Sequence, residues 1–330
     1  MPEPLRLVFM GSDAIGLPLL GWLADEAGGA ARLVGVVTGP DRPSGRGQAV
    51  RPNGVKAWAA GRGIAILQPE QLDASALAEL AALCPDVSLV VAFGHILRDE
   101  FIAVPRLGTL NLHASLLPRY RGASPIQAAI ASGERETGMT LMRIVRELDA
   151  GPIGGTERIA VSPLDTALDV EARLAAAAVP LAARALPLLA RGELSFRAQD
   201  GAGASYCRRL GKADGVLDFA APAAVLAARV NGLHPWPSVA VDVAGTPVKL
   251  GLADAPAGGA GGVPGTAIGS DEHGLLVATG SGILRLRRLQ RPGGRMLGAP
   301  EFLRGFPIPA GTVLPSRPMP ALVADSPFRR

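Results

Sequence analysis

Four short apolar runs, separated by stretches with helical patterning, constrain this chain more than any other feature. Residues 5–10, 33–37, 87–93 and 109–112 are bounded by Gly, Pro or Asp and run nearly continuously apolar, as strands buried on both faces of a parallel sheet do. Between them, residues 17–27, 54–60 and 75–83 carry the Ala, Leu and Glu content and the spacing of amphipathic helices, with Asp73 or Ser75 as an N-cap. Strand, helix and strand in alternation predict a right-handed, doubly wound α/β sheet. A long helix over about residues 164–191 closes this first domain.

The pattern then changes in kind. Residues 192–208 (GELSFRAQDGAGASYCR) are polar and small and read as a linker. Alternating runs at 238–242, 248–252, 275–279 and 283–289, separated by Gly and Pro, predict a small β-barrel over residues 209–314. Residues 255–269 read as a flexible loop of that barrel. From residue 315 to 330 no apolar period survives, which predicts a disordered tail.

At 330 residues the chain is long enough for two cores. With 48% hydrophobic but only 4% aromatic residues, those cores must be built of Ala, Leu and Val. No apolar run reaches the ~20 residues of a membrane span, and the first residues lack the basic and long apolar regions of a signal peptide, so the cytoplasm is the expected location. Cys84 and Cys207 stand in no metal-ligand spacing, which supports neither a disulfide framework nor a metal site.

Charge is distributed unevenly. From residue 201 onward there are 14 Lys and Arg against 8 Asp and Glu, whereas the first 200 residues carry 19 against 21. A basic C-terminal part suits a polyanionic partner through counterion release. A solvated basic surface gives the same count.

The densest chemistry lies in GTLNLHASLLPRYRGASPIQ, residues 108–127. On a strand, Asn111 and His113 share a face two residues apart and can act on one substrate atom. An amide donor beside an imidazole suits acyl chemistry, because the amide can bond a carbonyl oxygen as charge develops while the imidazole exchanges protons near neutral pH. An Asn and a His that merely end a strand satisfy the same spacing.

NLHASLLPRYRGASPIQ resembles the signature of the folate-dependent formyltransferases, whose active site combines an Asn, a His and a downstream Asp. The resemblance implies that Asn111, His113 and Asp149 form the catalytic trio, the last in RELDAGPIG at residues 146–154, where the Asp orients the His and holds a water. It implies a folate pocket formed by Ser115, Leu116, Leu117 and Pro118 on one side and by Phe93, Gly94 and Ile96 of VVAFGHIL on the other. That second wall follows a strand's carboxyl end, where open α/β sheets bind ligands. His95, His234 and His273 read as ordinary packing or solvated residues.

A second segment, TGPDRPSGRGQAVRPNGVK at residues 38–56, resembles a loop of the branch of that family that formylates methionyl initiator tRNA, where it enters the acceptor end. Arg42, Arg46 and Arg51 are then the tRNA-binding residues, since guanidinium groups bridge phosphates and stack on unpaired bases. SYCRRLGKADGVLDF and NGLHPWPSVAV resemble the junction and first turn of the same branch's OB-like barrel. The resemblance therefore implies a Rossmann-like catalytic domain followed by an OB-like tRNA-binding domain, 10-formyltetrahydrofolate as formyl donor, no metal, and no required protein partner. A formyltransferase acting on a nucleotide sugar or glycinamide ribonucleotide, and a non-catalytic RNA-binding relative, remain as alternatives. The chain departs from the pattern at Ile15, Gly39 and Ser44. The turn GSDAIG is not a GxGxxG, so no dinucleotide cofactor is implied.

Overall fold

A computed structural model of the chain describes residues 3–44, 49–258 and 262–328. They fall into two compact units: residues 1–121, 138–159 and 172–204 form the first, and residues 122–137, 160–171 and 205–330 the second.

The first unit begins with β1 (Leu5–Met10), α1 (Leu17–Asp25) and β2 (Ala31–Val37), followed by a short hairpin of β3 (Arg42–Ser44) and β4 (Ala49–Arg51). Then come α2 (Gly54–Ala60), β5 (Ile66–Leu67), α3 (Ala74–Ala82), β6 (Val87–Val90), α4 (Asp99–Ile102) and β7 (Thr109–His113). Two of the expected helices carry a side-chain start signal. The Asn53 carboxamide oxygen accepts the Lys56 N–H at the head of α2, and the Asp73 carboxylate accepts the Ala76 N–H at the head of α3.

Beyond β8 (Arg121–Gly122), the strands β9 (Glu136–Arg143) and β10 (Ile153–Ala160) complete a seven-stranded sheet ordered β10-β9-β7-β6-β1-β2-β5. The pairs β1/β2, β1/β6, β2/β5 and β6/β7 are parallel, and β7/β9 is antiparallel. Neither β9 nor β10 has the apolar run that marks a buried strand, and both were absent from the sequence expectation. Strand order reverses between β1 and β6, which opens the crevice where such sheets bind ligands. His113 ends β7, one strand from that reversal.

Helix α6 (Ala167–Ala190) would pass for a membrane span by length and mean hydropathy. Its buried residues Val170, Leu174, Ala178, Leu181, Ala185 and Leu189 recur at three- and four-residue intervals, so it is an amphipathic helix packed on the protein.

In the second unit, α5 (Pro125–Ala131) lies against α7 (Ala223–Gly232) so closely that a Cβ on Gly232 would stand 2.5 Å from the Ala131 nitrogen. This crossing explains why residues 122–137 belong with the C-terminal unit although they lie far upstream in sequence. The unit's main sheet follows β11 (Tyr206–Cys207) and comprises β12 (Val239–Val243), β13 (Thr246–Asp254), β14 (Ala267–Ser270), β15 (Leu275–Ala278), β16 (Ile283–Gln290) and β17 (Leu297–Gly298). These strands pair antiparallel, in the order β12-β13-β16-β15-β14 with β17 on β16. Their inward residues Val241, Val248, Leu250, Leu284 and Leu286 close over Leu226 and Val230 of α7 and Phe302 of α8 (Ala299–Gly305). Within the expected barrel loop, residues 267–269 belong to β14, and residues 259–261 lie outside the described residues.

The tail expected to be disordered is tied down through residue 328. Ser316 accepts the Phe219 N–H, Arg317 donates its N–H to the Leu217 carbonyl, and Leu322 is buried. Its β18 (Val323–Ala324) pairs with β11. Arg229 of α7 reaches the Pro320 carbonyl and Arg208 the Ala321 carbonyl. A backbone group takes part in each of these hydrogen bonds, so apolar periodicity carries no trace of them.

Candidate active site

Strand β7 sets Asn111 and His113 two positions apart, hence on one side of the sheet. Asn111 is paired with Val90 on β6 and Met142 on β9, and His113 with Thr140. Among the described residues the Asn111 carboxamide makes no hydrogen bond, so its donors remain available. Segment 91–97 leaves β6 immediately after Val90, beside Asn111.

The His113 ring is almost fully buried. Its Nε2 lies 2.9 Å from the Tyr120 carbonyl oxygen. A carbonyl only accepts, so Nε2 carries the proton and donates. Proton exchange is thereby confined to Nδ1, which faces the Asp149 carboxylate at 3.7 Å. That gap exceeds a hydrogen bond. It is an ion-pair distance once the ring is protonated.

Asp149 sits at a φ of +47°, a left-handed conformation that Asp tolerates better than most residues. What holds it there is a residue that periodicity assigned to a linker. The Gln199 amide donates to both the Asp149 and Gly151 carbonyls at 2.8 Å. Its own carbonyl oxygen accepts from Arg121 Nε at 3.1 Å and Nη2 at 2.6 Å. Arg121 is buried and follows Tyr120 directly, so one chain of hydrogen bonds joins the loop that anchors His113 to the loop that carries Asp149. No motif in the sequence pointed to Gln199. The one available signal was an amide among polar residues, the commonest kind of surface signature.

The expected folate walls divide into framework and surface. The Ser115 hydroxyl donates to the Arg119 carbonyl at 2.6 Å, and the Ser115 carbonyl accepts from Thr140 at 2.6 Å. Leu117 packs with Met142 and Ile153, while Leu116 and Pro118 are half-buried. Phe93 turns into the core beside Met10 and Val37. Gly94 takes a φ of +77°, and Ile96 is 65% exposed. The segment therefore offers backbone groups and Ile96, whereas the Phe93 side chain serves packing. The exposed His95 ring lies tilted against Phe93, with ring centroids 4.9 Å apart.

In the arginine segment, Arg42 pairs across the hairpin with Arg51, both exposed, and Arg46 lies outside the described residues. Arg42 meets Glu70 at 3.5 Å with both side chains about 70% exposed, a geometry worth ~0–1 kcal/mol. His234 is half-buried with its Nδ1 unpartnered among the described residues; desolvation and then Arg288 hold it below the usual imidazole range. His273 is an exposed turn residue beside Glu272.

The formyl transferase family model matches residues 6–186, and the model of the formyl transferase C-terminal domain matches residues 209–307. The chain belongs to the formyl transferase family.

Its relatives narrow the class further. The methionyl-tRNA formyltransferase of Aromatoleum aromaticum is 41% identical over 309 residues, covering 93% of this chain and 96% of the relative. That of Burkholderia multivorans is 40% identical over 321 residues, covering 94% and 97%. Among solved structures, the sugar 3N-formyl transferase WlaRD superposes with a TM-score of 0.66 at 15% identity over 88% of this chain and 99% of its own. HypX from Aquifex aeolicus in complex with tetrahydrofolic acid gives 0.59 at 15% identity over 95% of this chain; the match spans about half, 51%, of that longer protein. At these identities the two structures establish the fold.

Proposed function

We propose that this formyl transferase moves the formyl group of 10-formyltetrahydrofolate to the α-amine of methionyl initiator tRNA, in the cytoplasm, at the start of translation. The observation that carries the reading is identity of about 40% to methionyl-tRNA formyltransferases over more than 90% of both chains. The site chemistry supports it. Asn111 donates its free amide hydrogens to the formyl oxygen as the amine adds and negative charge develops there. With Nε2 committed to Tyr120, His113 can stabilise that charge only as the protonated ring, donating from Nδ1, and Asp149 steadies the cation and orients the ring. Much of the acceleration then comes from positioning. The acceptor amine is itself the nucleophile; the adduct collapses by breaking the formyl carbon–N10 bond, and tetrahydrofolate leaves with the proton the amine gives up, so the side chains need only hold, orient and exchange protons.

Gly94 and the backbone beyond β6, with Ser115–Pro118, fit a flat heteroaromatic donor, because exposed peptide groups beside a positive-φ glycine approach a ring edge without side-chain hindrance. The antiparallel second unit reads as an OB-like barrel that grips RNA phosphates through its basic surplus. Arg42, Arg46 and Arg51 meet the acceptor end.

The test is incubation with labelled 10-formyltetrahydrofolate and initiator tRNA, with and without attached methionine. Label transfer only to the charged tRNA is expected. Transfer to an amino sugar instead, with none to charged tRNA, overturns the reading in favour of a sugar formyltransferase.

A further inference from the structure

The base of the β3–β4 hairpin is held by side chains from three separate segments. The Gly39 N–H donates to the Ser12 hydroxyl at 2.9 Å, in the turn after β1. The Gly39 carbonyl accepts from the Asn53 amide at 3.2 Å and from the Gln68 amide at 2.8 Å. Thr38 joins the same set through Asn53 at 3.2 Å. Two residues on, the Asp41 carboxylate accepts from Lys56 Nζ at 2.7 Å and from Gln68 at 3.1 Å. These two hydrogen bonds, Lys56 first, hold its carboxyl below the usual range. A Cβ at position 39 would press on the Ser12 oxygen at 3.2 Å, so glycine leaves room for the tight approach. Among the described residues, the Arg42 side chain beyond this base makes only the exposed contact to Glu70.

We propose that Gly39 and Asp41, clamped by Ser12, Asn53, Lys56 and Gln68, form a rigid hinge that aims the arginine hairpin at the RNA part of the acceptor, making Gln68 and Lys56 positioning residues for substrate selection. The inference rests on the reading that this hairpin meets tRNA. A stiff base with a loosely held guanidinium is what phosphate capture needs: the ordering cost is met in folding, and Arg42 can exchange Glu70 for phosphate.

Gln68→Ala removes two of the clamping bonds, and Lys56→Met removes the strongest hold on Asp41. Both variants should melt close to the parent and raise KM for methionyl-tRNA about tenfold, with KM for the formyl donor unchanged; Lys56→Arg should restore most of the loss. In an Arg42→Ala background, Gln68→Ala should cost little more, because the side chain it aims is gone. Additive losses, an equal rise in donor KM, or an unchanged tRNA KM overturn the hinge. Amide hydrogen exchange of residues 40–44 and 49–51 provides a readout independent of substrate: faster exchange in Gln68→Ala is expected, and unchanged exchange refutes the proposal. If the parent fails to formylate charged tRNA while exchange responds as expected, the functional reading fails and the hinge stands.

Discussion

Gly151→Ala tests whether the Asp149 loop must lie where it does. A methyl group at position 151 would stand 1.8 Å from the Arg143 carbonyl oxygen and 2.9 Å from its carbon. Real Cβ contacts do not fall below 3.0 Å, so at least 1.2 Å of separation must open. Arg143 ends β9, and its N–H is bonded to the Pro152 carbonyl at 3.0 Å. It also pairs with Leu110 on β7 within the seven-stranded sheet. The loop therefore gives way, and Asp149 moves with it, because Gln199 ties residues 149 and 151 together. A misplacement of about 1 Å at a reacting group costs roughly 100-fold in rate, or about 2.7 kcal/mol of barrier. Formylation kinetics with charged tRNA, alongside a thermal melt, should give kcat down about 100-fold, both KM values within about threefold, and a folded protein. Gly21→Ala on α1, where the new methyl meets nothing within 4 Å, serves as the control and should be neutral. A folded Gly151→Ala variant with kcat within about twofold of the parent would refute the argument that loop position sets the rate.

Gln199→Leu should lower kcat about tenfold or more with little change in either KM, since it unties Asp149 without touching substrate; parent-like turnover would mark Gln199 as structural only. Asn111→Ala and His113→Ala should each cost on the order of 100- to 1000-fold in kcat, and stopped-time formylation assays near the parent rate would remove both from the chemistry. Asp214 is almost fully buried and bonds Arg208, near the charge of Arg229; Asp214→Asn leaves those guanidinium groups facing each other and should cost about 3 kcal/mol in urea unfolding. At Asp254, desolvation raises the carboxyl but hydrogen bonds from Arg285 and Arg287 outweigh it, so the folded pKa is lowered. Its stabilisation is then complete above about pH 4 and lost as pH falls through the depressed folded value; Asp254→Asn should flatten that acid limb in a denaturation series, and an unchanged limb would count against it.

The strands β1, β2, β6 and β7 and the helices α1, α2 and α3 were legible in sequence because burial on both faces and capping write themselves into local residue choice. Asn111, His113 and Asp149 were named as candidates for a different reason, namely resemblance to a known motif, since spacing alone favoured an ordinary strand end. Tertiary structure alone decided the rest. Which nitrogen of His113 is available depends on the Tyr120 carbonyl, and Asp149 depends on Gln199 and Arg121. The ordering of residues 316–324 depends on hydrogen bonds with Leu217, Phe219 and Arg229 and on strand pairing with Cys207. The physical cause is shared: periodicity reports which side chains avoid water, whereas these contacts join polar and backbone groups distant in sequence, whose partners no local pattern names.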